Sequence, residues 1–168
     1  AAICEGGIYD WNSVYFQQVV GVKLFTLSYM VFMISMTISR FFTDFIIMKI
    51  GMFKLFILSA CVVVLGIGTL IIYPYFYTAL IGFFIAGFGV ASIFPMAFLL
   101  AGQSKKYSPG MAISIVGTYS TLGVLIAPPL IGYLAHVFNL KQAFLFFICA
   151  ALFLMFFSKK AFFHLEKQ

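Results

Sequence analysis

The chain has 168 residues, of which 64% are hydrophobic and only 8% charged, whereas a water-soluble domain carries roughly 25% charged residues. With so little polar surface, a fold bathed in water on all sides is excluded. The net charge of +6 does not describe a nucleic-acid-binding face either: Arg40 is the only arginine, and the lysines fall in short clusters between apolar runs, a distribution that encodes membrane topology.

The first segment, from Ala1 to about Val20, opens as though an apolar run had been cut short, so we expect a piece of a longer protein with its first helix truncated at the start. It holds the richest polar cluster in the chain, Glu5-Gly6-Gly7-Ile8-Tyr9-Asp10-Trp11-Asn12-Ser13. At about 100° per residue, Glu5, Tyr9 and Asn12 share one helical face, and Asp10, Ser13 and Gln17 another. The Gly6-Gly7 pair predicts a break in this helix, letting it line a cavity. A carboxylate within the bilayer is expensive and marks a proton or substrate path; the alternative for Glu5 is a plain hydrogen bond to a neighbouring helix. Asp10 and Trp11 read equally well as cavity residues or as anchors at the outer interface.

Four further apolar runs, from about Val22 to Phe42, Phe53 to Tyr73, Tyr77 to Leu100 and Gly110 to Ala135, and a last one from Lys141 to Phe157, each suit a spanning helix. They are continuously apolar, without the alternation of a membrane barrel strand. Turn residues separate them at Tyr73-Pro74-Tyr75 and at Gln103 to Gly110, and such short connections make neighbours antiparallel. The fifth segment carries Ser114, Gly117, Thr118, Ser120, Thr121, Gly123, Pro128 and Pro129, which predicts a place in the bundle interior, with Thr118 and Thr121 as candidates on a polar path. The sixth is rich in phenylalanine and is expected to face lipid. Arg40, Lys49, Lys54, Lys105, Lys106, Lys159, Lys160 and Lys167 fall on one side, against Lys23 and Lys141 on the other, so the first side, with the C-terminus, is expected to be cytoplasmic.

Arg40 and Asp44 are four residues apart and so share a helical face, where they can pair. Ser39-Arg40-Phe41-Phe42-Thr43-Asp44, with Gly51 beyond, resembles the Gly-Arg-x-x-Gly-Asp motif that the major facilitator superfamily carries at the cytoplasmic end between the second and third helices of each half; Ser39 and Thr43 stand where that motif has glycine. The resemblance continues through Gly87-Phe88-Gly89, Phe94-Pro95, Tyr107 to Gly110 and Gly117 to Gly132 around Pro128-Pro129, in the order of that family's C-terminal half, and is nearest to fucose-permease-type sugar/proton symporters and their uncharacterised bacterial relatives. It implies an all-α integral membrane fold over residues 1–168, with about six transmembrane helices forming one half of a twelve-helix bundle. It also implies transport of a small polar, sugar-like solute by alternating access coupled to protons, a missing N-terminal half-bundle as partner, and a place in the bacterial inner membrane. Arg40, Asp44 and Gly51 would then belong to a cytoplasmic gate, and Glu5 would stand near a glutamate common in those permeases.

No cofactor is called for, and Cys4, Cys61, Cys149, His136 and His164 lack metal-ligand spacing. A membrane-embedded enzyme would need a nucleophile, base or metal cluster at one depth, which the sequence does not supply. A non-transporting helical assembly or receptor subunit could use the same helices without ion coupling.

Overall fold

The computed structural model describes residues 1–104 and 107–166, with side chains as far as Ser158. Lys105, Lys106 and Lys167 of the basic clusters lie outside the described residues, as do the side chains of Lys159 and Lys160. Among the described residues the regular structure is α-helical: α1 (Ala2–Gln18), α2 (Thr26–Ile50), α3 (Met52–Ile72), α4 (Phe76–Gly102), α5 (Pro109–Val137), the short α6 (Leu140–Ala143) and α7 (Leu145–Glu166). Among the described residues, five stretches are long and apolar enough to cross a membrane, namely α2, α3, α4, α5 and Leu140–Ser158. The 25 residues of α2 extend about 37 Å at 1.5 Å per residue, enough for a hydrocarbon core of about 30 Å.

The helix ends follow from local chemistry. Gly51 closes α2 with φ of 84°, a conformation that glycine adopts without a Cβ penalty, and its N–H reaches the Ile47 carbonyl at 2.9 Å. This gives the motif glycine a structural reason independent of any gate. Thr78 Oγ1 accepts from the Tyr75 backbone N–H at 3.2 Å, a reciprocal cap that starts α4 directly after Pro74. Pro109 opens α5 at the position where a missing N–H has no consequence. Asn139 Oδ1 accepts from the Gln142 N–H at 2.8 Å and caps α6, so the last predicted span begins with a separate turn before α7.

The helix α4 is the hub, with its closest partners α3 and α2; α7 packs on α3, and α1 on α5. Small residues permit this approach. A Cβ on Gly66 would lie 2.5 Å from Ala86 N on α4, and one on Gly87 would lie 2.8 Å from the Phe32 carbonyl on α2. The core centres on aromatic rings: Tyr15 from α1 meets Phe144 with centroids 4.3 Å apart and Phe83 at 5.9 Å, and its buried hydroxyl donates to the Leu70 carbonyl at 2.7 Å.

Two expectations are corrected here. α1 is unbroken through Gly6 and Gly7, because these glycines serve as contact points rather than hinges: a Cβ at Gly6 would press on Val124 of α5 at 3.1 Å, and one at Gly7 on the Phe147 ring. Nor is α5 interior to this bundle. Only 11% of its apolar window is buried, against 50% for α4, so its polar residues lie largely on an open face. Leu152, Phe153, Phe156 and Phe157 of α7 are exposed, as the apolar character of the last segment leads one to expect.

Candidate functional site

The seam between α1 and α2 is held by polar contacts. The Val19–Phe25 turn joins the two helices and brings them side by side. Nearest the turn, the Ser28 hydroxyl, fully buried, donates to the Phe25 carbonyl at 2.8 Å and lies 3.3 Å from Asn12 Oδ1. Beside it, the Tyr29 and Tyr9 hydroxyls are 2.6 Å apart, with rings edge to face at 5.2 Å. Deeper still, Arg40 Nη2 donates to Glu5 Oε1 at 3.1 Å.

Arg40 therefore reaches across to α1 instead of along its own helix to Asp44, which lies one turn further on and exposed. The reason is the rotation of α2. Ser39 is buried and donates to the Phe88 carbonyl of α4 at 2.7 Å; Thr43, also buried, donates to the Ser39 carbonyl at 2.8 Å and lies 3.0 Å from Ser92 Oγ. The two residues that replace motif glycines thus fasten one face of α2 to α4. With that face turned to α4, Arg40 is directed to the seam with α1.

Glu5, Tyr9, Met33, Met36, Thr37 and Arg40 line a cavity of about 130 Å³. Its charged pair is partly accessible, Arg40 at 51% and Glu5 at 20% of the side-chain surface. A larger cavity of about 440 Å³ lies between the ends of α3, α4, α5 and α7, but its lining is apolar except for Ser104, Tyr107 and Ser158. A solute site needs a few convergent polar groups, and those are found in the smaller one.

Of the sequence candidates, Glu5 and Tyr9 share the cavity with Arg40. Asn12, although on the same helical face, is fully buried and gives its amide N–H to the Tyr9 carbonyl at 2.8 Å, so it stiffens the seam. Asp10 is exposed and outside the cavity lining. Thr118 and Thr121 lie on the open face of α5 and bond back to the Ser114 and Gly117 carbonyls, each at 3.0 Å, as hydroxyls within helices commonly do; they do not meet Glu5. Trp11 donates Nε1–H to the Pro128 carbonyl at 3.1 Å and joins α1 to α5. Among the described residues no group of His, Cys, Asp or Glu could hold a metal ion.

Tyr29, Met33, Met36 and Thr37 were not among the sequence candidates. Their signal was present, since Tyr29, Met33, Met36 and Arg40 recur every three or four residues, with Thr37 beside Met36, and so form one stripe along α2. The stripe is mostly apolar and reads as ordinary packing until Glu5 is placed opposite it.

Comparison with known proteins agrees with this architecture. The sequence model of the Major Facilitator Superfamily matches residues 20–167. An uncharacterized MFS-type transporter of Yersinia pestis is 30% identical over 155 residues, covering 91% of this chain and 40% of that protein. The membrane protein MosC of Rhizobium meliloti is 29% identical over 148 residues (87% of this chain, 36% of MosC), and an uncharacterized transporter of Sinorhizobium fredii is 28% identical over 142 residues (83% and 38%). The chain spans about two-fifths of the length of these curated relatives. No solved structure matches significantly. With apolar helices long enough to span a bilayer, a polar cavity between α1 and α2 and a family match over most of its length, the chain belongs to the Major Facilitator Superfamily, a family of membrane transporters.

Proposed function

We propose that this chain is the C-terminal half-bundle of a secondary transporter of the bacterial inner membrane, with its C-terminus in the cytoplasm. It moves a small polar, sugar-like solute by alternating access against an N-terminal half-bundle, and the transport is coupled to protons. The observation that carries the reading is the Glu5–Arg40 pair, 3.1 Å apart and opening on a cavity. Arg40 lies well inside a 25-residue apolar helix. Ionisable side chains at such depth are costly and are retained on solute and ion paths. Midplane sites shared between two repeats are the general arrangement of such transporters.

Glu5 is the acid of this site. A carboxylate paired with a guanidinium can give up that pairing on taking a proton, which links protonation to the α1–α2 seam. The test is Glu5→Gln in the full-length transporter, reconstituted in liposomes. The amide keeps the shape and an acceptor for Arg40 but cannot exchange a proton, so accumulation driven by a pH gradient should be lost while solute counterflow persists. Unchanged accumulation would assign Glu5 to structure and remove it from coupling.

A further inference from the structure

We propose that the larger, apolar cavity is a binding site for an anionic phospholipid, with one acyl chain entering it and the phosphate resting at its lysine-bearing rim. The proposal needs only helices that span a bilayer, and it is independent of the solute and coupling readings above. The cavity, of about 440 Å³, lies where α3 and α5 begin and where α4 and α7 near their ends. Its lining runs along α5 from Ala112 to Val116. Val116 stands seven residues beyond Pro109, the first residue of α5, so the space reaches about 10 Å into the bundle at 1.5 Å per residue. The cause lies in small side chains: Ala97 and Ala101 of α4 and Ala112 of α5 line the gap, where bulkier residues would close it. Beside it the same two helices do touch. A Cβ at Gly102 would lie 3.8 Å from Ile113 Cδ1, and one at Gly117 would lie 3.8 Å from the Phe98 ring.

A void of this size calls for an occupant, since packed interiors leave few spaces larger than a water molecule. Water fills it poorly, because a buried water needs two to four polar partners. The polar residues of the lining are Ser104, Tyr107 and Ser158, two of them in the α4–α5 connection and the third near the end of α7. The walls are therefore apolar and the hydroxyls are gathered at the helix ends, the order of groups along a lipid from chain to head. Charge decides what kind of head. Lys54 is exposed on the first turn of α3, two residues before Phe56 of the lining, and α7 runs from Ser158 directly into Lys159 and Lys160. Among the described side chains the acids belong to α1 (Glu5, Asp10) and α2 (Asp44), neither of which lines this cavity. Lys105 and Lys106, outside the described residues, form no part of the proposed site. Basic pockets between membrane helices are where anionic head groups bind.

The test is a lipid titration of the purified full-length transporter in detergent, with bound lipid counted by native mass spectrometry. The probes are dioleoyl phosphatidylglycerol and dioleoyl phosphatidylcholine, which share their chains and differ in head-group charge. The anionic lipid should be retained at concentrations at least tenfold lower than the zwitterionic one. Lys54→Gln/Lys159→Gln/Lys160→Gln should raise the phosphatidylglycerol concentration needed for one bound lipid about a hundredfold, at about fivefold per lysine. Ala101→Phe fills the cavity from α4 and should remove that lipid while the protein still elutes as a single folded species. If Ala101→Phe does not fold, Val116→Phe occupies the same space from α5 and should give the same loss. Equal retention of the two lipids, retention of neither, or wild-type phosphatidylglycerol binding in the lysine variant or in a folded cavity variant would overturn the proposal.

Discussion

Replacing Gly66 by alanine separates packing from propensity on one helix. A Cβ there would sit 2.5 Å from Ala86 N, 2.8 Å from Ala86 Cα and 2.8 Å from the Gly82 carbonyl oxygen. All three are backbone atoms of α4, so no side chain can swing aside, and ordinary contact begins near 3.4 Å. The α3–α4 pair, the most extensive helix contact in the bundle, must open by roughly 0.6 to 0.9 Å, and overpacking of this kind costs about 1–3 kcal/mol. Gly68 is the internal control: a Cβ there meets nothing within 4 Å, and alanine in an open helical position gains up to about 1 kcal/mol. That gain is common to both variants, so they should differ by the overpacking cost of about 1–3 kcal/mol, with Gly66→Ala the weaker, when the full-length protein is unfolded by SDS titration in mixed micelles. Equal midpoints for Gly66→Ala and Gly68→Ala would refute the close α3–α4 approach.

Ser92→Ala removes the oxygen that Ser39 and Thr43 share, at 3.2 and 3.0 Å. Interhelical hydrogen bonds in membranes contribute about 0.6 kcal/mol on average, so the same titration should register a loss of about 1 kcal/mol, and no loss would show that α2 is positioned by packing alone. Asp44→Asn in the full-length transporter should slow cycling more than it reduces folded yield, as a gate residue requires; normal uptake would reduce Asp44 to a surface acid. In a background without native cysteines, a cysteine at position 75 should react with an impermeant reagent added outside intact cells and one at position 106 should not, whereas external labelling at 106 would reverse the orientation.

Hydropathy made the spans legible because the bilayer imposes a minimum apolar length, and the turns at Tyr73–Tyr75 and Ser108–Pro109 fall where their chemistry put them. What the sequence could not disclose is rotation about each helix axis. The four-residue spacing of Arg40 and Asp44 points to a local pair, but hydroxyls at Ser39 and Thr43 bind α4 and swing Arg40 to an acid 35 positions earlier. Gly6-Gly7 shows a second ambiguity. Glycine weakens a helix and also admits a neighbour, and only the presence of Val124 and Phe147 decides between the two. Polar residues on α5 pointed to a place in the interior, and among the described residues that face is open.

Trp11 is the sole tryptophan of the chain, and its indole N–H is held by the Pro128 carbonyl while its ring rests beside Gly132. The intrinsic tryptophan emission of this chain is consequently a gauge of one joint. Separation of α1 from α5 would free the indole from its carbonyl and change its hydration, displacing the fluorescence maximum, while motion along the α1–α2 seam would leave the signal unmoved. In a full-length variant with every other tryptophan replaced, the colour of the emitted light would report which side of the first helix lets go during a transport cycle.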